Sequence, residues 1–289
     1  MPHPAPAAFA IVLPDHRNTP VIFSSPHSGR SYSPAFLEQS LLDARMIRSS
    51  EDAYVDQLFS AAPLYGAPLI HATLPRAWLD LNRAPDELDP ALIDGVHRPA
   101  HNPRVSSGLG VIPRVVANGR AIYRGKLPLA EAEHRIARVW HPYHNALRRL
   151  IDESHARFGQ AVLIVCHSMP HEAIDAHSRP GTLRPDVVLG DRFGAAAGRE
   201  VMELVEAAFA SAGLRVARNS PFAGAYIAQA YGRPTRGNHV VQVEIDRALY
   251  LDEARVELRA DYPAFHRLIT GVVAEISGIG RQILPMAAE

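Results

Sequence analysis

The chain is predicted to be an α/β protein built on a mixed, mostly parallel sheet with helices on both faces. Short apolar runs, Val21-Ile22-Phe23 and Ala161-Val162-Leu163-Ile164-Val165 foremost, read as buried strands. Such runs alternate along the chain with longer segments of helical periodicity, the pattern of a mainly parallel α/β sheet. With 289 residues and 47% hydrophobic content, the chain can bury one sizeable core, so residues 1–289 are read as a single α/β domain.

Residues 1–19 read as an irregular leading segment, and the first strand ends at His27. A short helix is expected from Pro34 to Asp43. A second is expected from Glu51 to Ala62, capped by Ser49 or Ser50 with acidic residues in its first turn. Ala67 to Thr73 is a strand. Residues 84–127 carry scattered Pro and Gly and read as long loops, with a hairpin around Val111–Val116. Pro128 opens a long helix whose apolar positions (Leu129, Ala132, Ile136, Val139, Trp140, Tyr143, Leu147, Leu150) lie close to a 3.6-residue period. Pro142 should kink it. After the strand at 161–166 comes a polar loop to Gly190. A helix from Ala195 to Ala212 stops at Gly213. Leu214 to Ala217 and His239 to Ile245 are strands. Leu251 to Ile276 reads as largely helical, interrupted by Pro263.

Charge excludes some partners. Lys+Arg and Asp+Glu balance at 30 each, which argues against nucleic acid and anionic membranes. The single cysteine, Cys166, fits a reducing compartment and, inside a strand, faces the core. Met1-Pro2-His3-Pro4-Ala5-Pro6 lacks signal-peptide features, and no apolar stretch is long enough to span a bilayer. The expected location is cytoplasmic, and the sequence leaves oligomeric state open, a homo-oligomer included.

Chemistry gathers at strand ends. His27 and His167 each close an apolar run, and ligands of open α/β sheets collect beyond the carboxyl ends of strands. A catalytic zinc site takes three protein ligands, commonly two His and a carboxylate, and keeps one position open. Glu51 or Asp52 is the best carboxylate, although on spacing alone an acidic first turn offsetting a helix dipole is the better explanation of both. His141-Pro142-Tyr143-His144 offers a rival metal pair one turn apart, disturbed by Pro142, or a donor to substrate in His144. Arg76 and the Asn82-Arg83 pair can hold a carboxylate, since guanidinium donors match two oxygens. A tie to a surface Asp or to a loop carbonyl is the alternative. Glu244, inside the apolar strand Val240–Ile245, is costly to bury and so is a candidate general base, or else an ion-pair partner of Arg247. Gln242 lies two residues away and faces the same side.

These residues fall within eight motifs in a fixed order. They are Pro26-His27-Ser28-Gly29, Glu51-Asp52 with Val55-Asp56, Arg76 with Asp80-Leu81-Asn82-Arg83, and His141-Pro142-Tyr143-His144. Then come His167-Ser168-Met169-Pro170, Leu189-Gly190-Asp191, Asn219-Ser220-Pro221-Phe222-Ala223-Gly224 and Gln242–Tyr250. Over roughly residues 20–255 this order resembles the N-formylglutamate amidohydrolases. The resemblance implies a zinc carboxypeptidase-like fold related to aspartoacylase and succinylglutamate desuccinylase. It also implies a zinc ion on His27, Glu51 and His167, with Glu244 as general base.

The implied activity is metal-dependent hydrolysis of N-formyl-L-glutamate to formate and glutamate, in histidine degradation. Asn82, Arg83, Arg76, His144 and Arg247 would bind this dicarboxylate. One departure stands out: Val165 occupies the position two before the second metal His, where the family usually carries an acid. Loss of a carboxylate that orients a ligand typically costs about 10–100-fold in affinity or activity. Two other readings therefore stay open, an amidohydrolase of another N-acyl amino acid and a catalytically weakened carboxylate-binding homologue.

Overall fold

The apolar run that begins at Ala161 continues as a strand to Met169, and all nine of its residues are buried. A strand covered on both sides needs a layer of helix above and below it. The computed structural model describes residues 7–96, 102–175 and 184–281. Among these, seven strands form one sheet. They are β1 (Phe9–Val12), β2 (Val21–Ser25), β3 (Leu69–Ala72), β4 (Ala161–Met169), β5 (Val187–Gly190), β6 (Val216–Arg218) and β7 (Asn238–Asp246).

Across the sheet the order is β1-β3-β2-β4-β7-β5-β6. The four central strands β3, β2, β4 and β7 run parallel. β1 is antiparallel to β3, and β5 reverses against β7 with β6 parallel to it. The chain leaves β2 to one side for β3, then returns to the other side for β4. The crevice between β2 and β4 is therefore a topological switch point, where ligands bind in open α/β sheets.

Strand alternation divides the core in two. Ile22, Ile70, Leu163, Val165 and Val240 pack on one side with Trp140, Tyr143 and Leu147. Val21, Phe23, Val162, Ile164 and Val241 pack on the other with Val205, Phe209, Val273 and Ile276. Helices thus cover both faces, as predicted. No helix among the described residues is long and apolar enough to cross a membrane.

Several elements differ from expectation. Residues 51–62 are not one helix: a 3₁₀ turn, Met46–Ser50, ends at Glu51, and Tyr54 takes a left-handed φ of 62° before a short helix, Val55–Leu58. The cause is long-range, because the Asp52 amide donates to His27 O at 3.1 Å and pulls this stretch out of helical register. Pro142 falls after a π turn, Ile136–Trp140, that joins the helices Leu129–Arg135 and His141–Phe158. A wider turn accommodates the proline, which has no N–H to donate. Leu251–Asp252 instead pairs antiparallel with Glu257–Leu258. Pro263 opens the helix Tyr262–Ser277 rather than interrupting it. At 111–116 there is no hairpin strand pair, only an isolated bridge from Val115 to Ala121.

Candidate active site

Three segments deliver the central cluster. His27 stands in the tight turn that follows β2. Gly29 allows this turn to press against the chain beyond β3, since a Cβ there would lie 2.0 Å from Leu74 O. His167 lies within β4 rather than in a loop beyond it, and its register partner on β7 is Glu244. Asp52 follows the 3₁₀ turn and is anchored to the His27 backbone.

The two imidazole rings are 4.7 Å apart between centroids. Asp52 Oδ2 accepts from His167 Nδ1 at 2.8 Å and lies 3.3 Å from His27 Nδ1. That His27 nitrogen is buried and has no hydrogen-bond partner among the described residues. Ligand atoms of His27, Asp52 and His167 all lie within 4.8 Å of one another. Two imidazoles and a carboxylate are a common donor set of catalytic zinc. An unpartnered buried nitrogen aimed into the group is what a metal ligand leaves when no ion is bound. The residues fit a divalent metal ion.

A surrounding shell holds this cluster in place. Asp80 Oδ1 lies 2.7 Å from His27 Nε2, and its Oδ2 accepts from Arg76 at 2.8 Å. Arg247 donates to Asp52 Oδ1 at 3.0 Å. Burial raises the cost of charge on Asp52 and Asp80, yet their close neighbours hold both well below the usual carboxylate range. For Asp52 these are His167 and His27; for Asp80, chiefly His27 and Arg76. Asn82 Nδ2 lies 3.1 Å from His167 Nε2 and 3.3 Å from Gln242 Oε1, while Asn82 Oδ1 accepts from the Ile227 amide at 2.8 Å. Gln242 donates in turn to Glu244 Oε1 at 2.8 Å.

Glu244 has a different environment from the aspartates. Burial, reinforced by the charge of Asp52, pushes its carboxyl up to about 7 against the pull of His167 and Arg76. A cavity of about 640 Å³ opens above the cluster, with Arg83, Arg104, Asn82 and Glu244 in its lining.

A family model described as N-formylglutamate amidohydrolase matches residues 19–251. The chain belongs to the N-formylglutamate amidohydrolase family. It is 31% identical to the N-formylglutamate deformylase of Pseudomonas aeruginosa over 246 residues, covering 84% of this chain and 86% of that protein. The deformylase of Pseudomonas putida is 30% identical over 237 residues, 81% of this chain and 82% of the relative. The crystal structure of N-formylglutamate amidohydrolase from Ralstonia eutropha JMP134 superposes with a TM-score of 0.87 at 34% identity. The match covers 94% of this chain and 97% of that one.

Of the site residues read from the sequence, His27, His167, Glu244, Asn82, Arg83 and Arg76 come together around one cavity. Glu51 does not join the cluster of His27 and His167, and Asp52 stands beside the two imidazoles instead. The Glu51 carboxylate is gripped by Arg48 at 2.9 and 3.0 Å and by the Tyr32 hydroxyl at 3.1 Å. Arg247 is committed to Asp52, Ser168 and the Ser49 carbonyl, so it supports the cluster and is not available to a substrate carboxylate. Arg76 is similarly engaged by Asp80.

His144 lies away from the cavity. It is buried against Trp140, with ring centroids 3.9 Å apart, and its Nε2 donates to Leu81 O at 2.9 Å while Nδ1 accepts from the Tyr231 hydroxyl at 2.9 Å. It props the segment that carries Asn82. His141 on the same helix is exposed, so the rival pair does not converge. Asp80, Gln242 and Arg104 were not among the site residues read from the sequence. Asp80 heads the Asp80-Leu81-Asn82-Arg83 motif and Gln242 shares a face with Glu244, whereas no motif included Arg104.

Proposed function

We propose that this chain hydrolyses N-formyl-L-glutamate to formate and L-glutamate, with a divalent metal ion, zinc by its donor set, on His27, Asp52 and His167. The observation that carries this reading is the convergence of those three groups beside Glu244 at the switch point of the sheet. The names of the Pseudomonas and Ralstonia relatives support the substrate. A zinc ion there supplies Lewis acidity toward an amide carbonyl and lowers the pKa of water to about 7.

The chain's own groups do the rest. Glu244, held by Gln242 and raised toward neutrality, accepts the proton of the attacking water and returns it to the departing nitrogen as the C–N bond breaks. General acid–base help of this kind is worth about 10²- to 10⁴-fold. Arg83 offers an Nη2 that has no hydrogen bond among the described residues and takes a substrate carboxylate. Asn82, its amide engaged by His167, Gln242 and Ile227, keeps the base and the ligand in register. The reading includes a role in histidine degradation, which the family resemblance alone carries.

Formate release from N-formyl-L-glutamate by purified protein tests the proposal. Release should stop after chelation and return when zinc is added. Zinc-loaded protein that releases no formate overturns it.

A further inference from the structure

Few of the cations around the cavity are open to a ligand. Arg76 and Arg247 are bonded to Asp80 and Asp52. Arg83 gives Nε to Leu109 O at 2.9 Å and Nη1 to Asn82 O at 3.3 Å, both backbone carbonyls. Arg104 lines the same cavity, is exposed, and has no hydrogen bond or ion pair on its guanidinium among the described residues.

Arg83 and Arg104, neither of them paired with a carboxylate among the described residues, belong to one bonded unit. Asn102 Oδ1 caps the turn Pro103–Ser106 by accepting from the amides of Arg104 and Val105 at 3.0 and 3.3 Å. Arg104 O accepts the Leu109 amide at 2.8 Å. Leu109 O in turn accepts Arg83 Nε, so the loop bearing Arg104 is tied directly to Arg83. Buried Val105 pins the turn from below. Burial and then the charge of Arg104 lower the Arg83 guanidinium, so the two cations feel each other. Asp80 and Glu87 offset that repulsion only in part, and a ligand with two carboxylates would bring each guanidinium an anion of its own.

We propose that Arg104 is the specificity residue of this cavity, pairing with the side-chain carboxylate of an N-acyl acidic amino acid while Arg83 holds its α-carboxylate. The proposal rests on the formylglutamate reading and names the residue that would select the acidic side chain.

Kinetics of wild type, Arg104→Gln and Arg104→Lys on N-formyl-L-glutamate and N-formyl-L-glutamine test it. A charge-assisted pair of this kind is worth about 10- to 100-fold. Arg104→Gln should lose that much kcat/KM on the glutamate substrate, chiefly through KM, and nothing on the glutamine substrate. Arg104→Lys should recover part of the loss. Equal loss on both substrates, or no loss on either, overturns the assignment. Calorimetry with glutarate and butyrate separates this proposal from the reaction itself. If wild type binds glutarate yet leaves formylglutamate intact, the reaction is wrong and Arg104 is judged on binding alone. Weaker glutarate but unchanged butyrate binding in Arg104→Gln then supports it, and unchanged glutarate binding overturns it.

Discussion

Asp52 and Glu51 are adjacent carboxylates with opposite surroundings. Asp52 faces two imidazoles and Arg247, whereas Glu51 turns to Arg48 and Tyr32. Asp52→Asn should therefore lose stoichiometric metal, measured by elemental analysis after zinc loading, and Glu51→Gln should retain it. Retention by both variants would remove Asp52 from the ligand set. Glu244→Gln should keep the metal and lose about 10²- to 10⁴-fold in turnover. Because the carboxyl of Glu244 is raised to about 7, its basic form is lost as pH falls through that value, so kcat/KM of the wild type should decline on the acid side. Val165, where the family usually has an acid, is buried among apolar residues. Asp52 and Asn82 already contact the two nitrogens of His167, so the departure leaves that ring oriented.

At the scale of elements, parallel pairing of β4 with β7 does the positioning. It sets His167 beside Glu244 and Val165 beside Gln242, so one face presents both the proposed ligand and the proposed base. The motifs at 189–191 and 219–224 form a second clamp. Asn219 donates to Asp191 at 2.8 Å, and a Cβ on Gly190 would come within 2.6 Å of Ala223. Behind the site, His144 links the helix His141–Phe158 to Leu81. Burial lowers this imidazole to about 4, so it is neutral when folded. The unfolded chain binds the extra proton between about 4 and 6.5, so this residue's contribution is complete above 6.5 and is lost as pH falls toward 4. The shift corresponds to up to about 3 kcal/mol. His144→Gln, which keeps a donor for Leu81 O, should flatten that part of the denaturation-versus-pH profile. An unchanged profile would show that His144 does not titrate in this way.

For the molecule as a whole, the His27, Asp52 and His167 cluster links the turn after β2, the stretch before Val55 and the strand β4. An ion bound only by the folded state stabilises it by about 4 kcal/mol at a thousandfold excess over Kd. Zinc should raise the Tm and a chelator should lower it. Asp52→Asn should respond to neither, and an unresponsive wild type would show that the cluster holds no ion.

Much of this design was legible in the sequence. The alternation of apolar runs and helical periods determined an α/β sheet covered on both faces, and the imidazoles ending two of those runs marked the site. A costly carboxylate inside an apolar strand marked Glu244. Local pattern did not carry the choice between Glu51 and Asp52, the diversion of His144 and Arg247 into support, or the availability of Arg104. Each depends on which partner a side chain meets across the fold. Periodicity reports which face a residue occupies, whereas ligation and charge pairing depend on distances between segments that only tertiary packing sets.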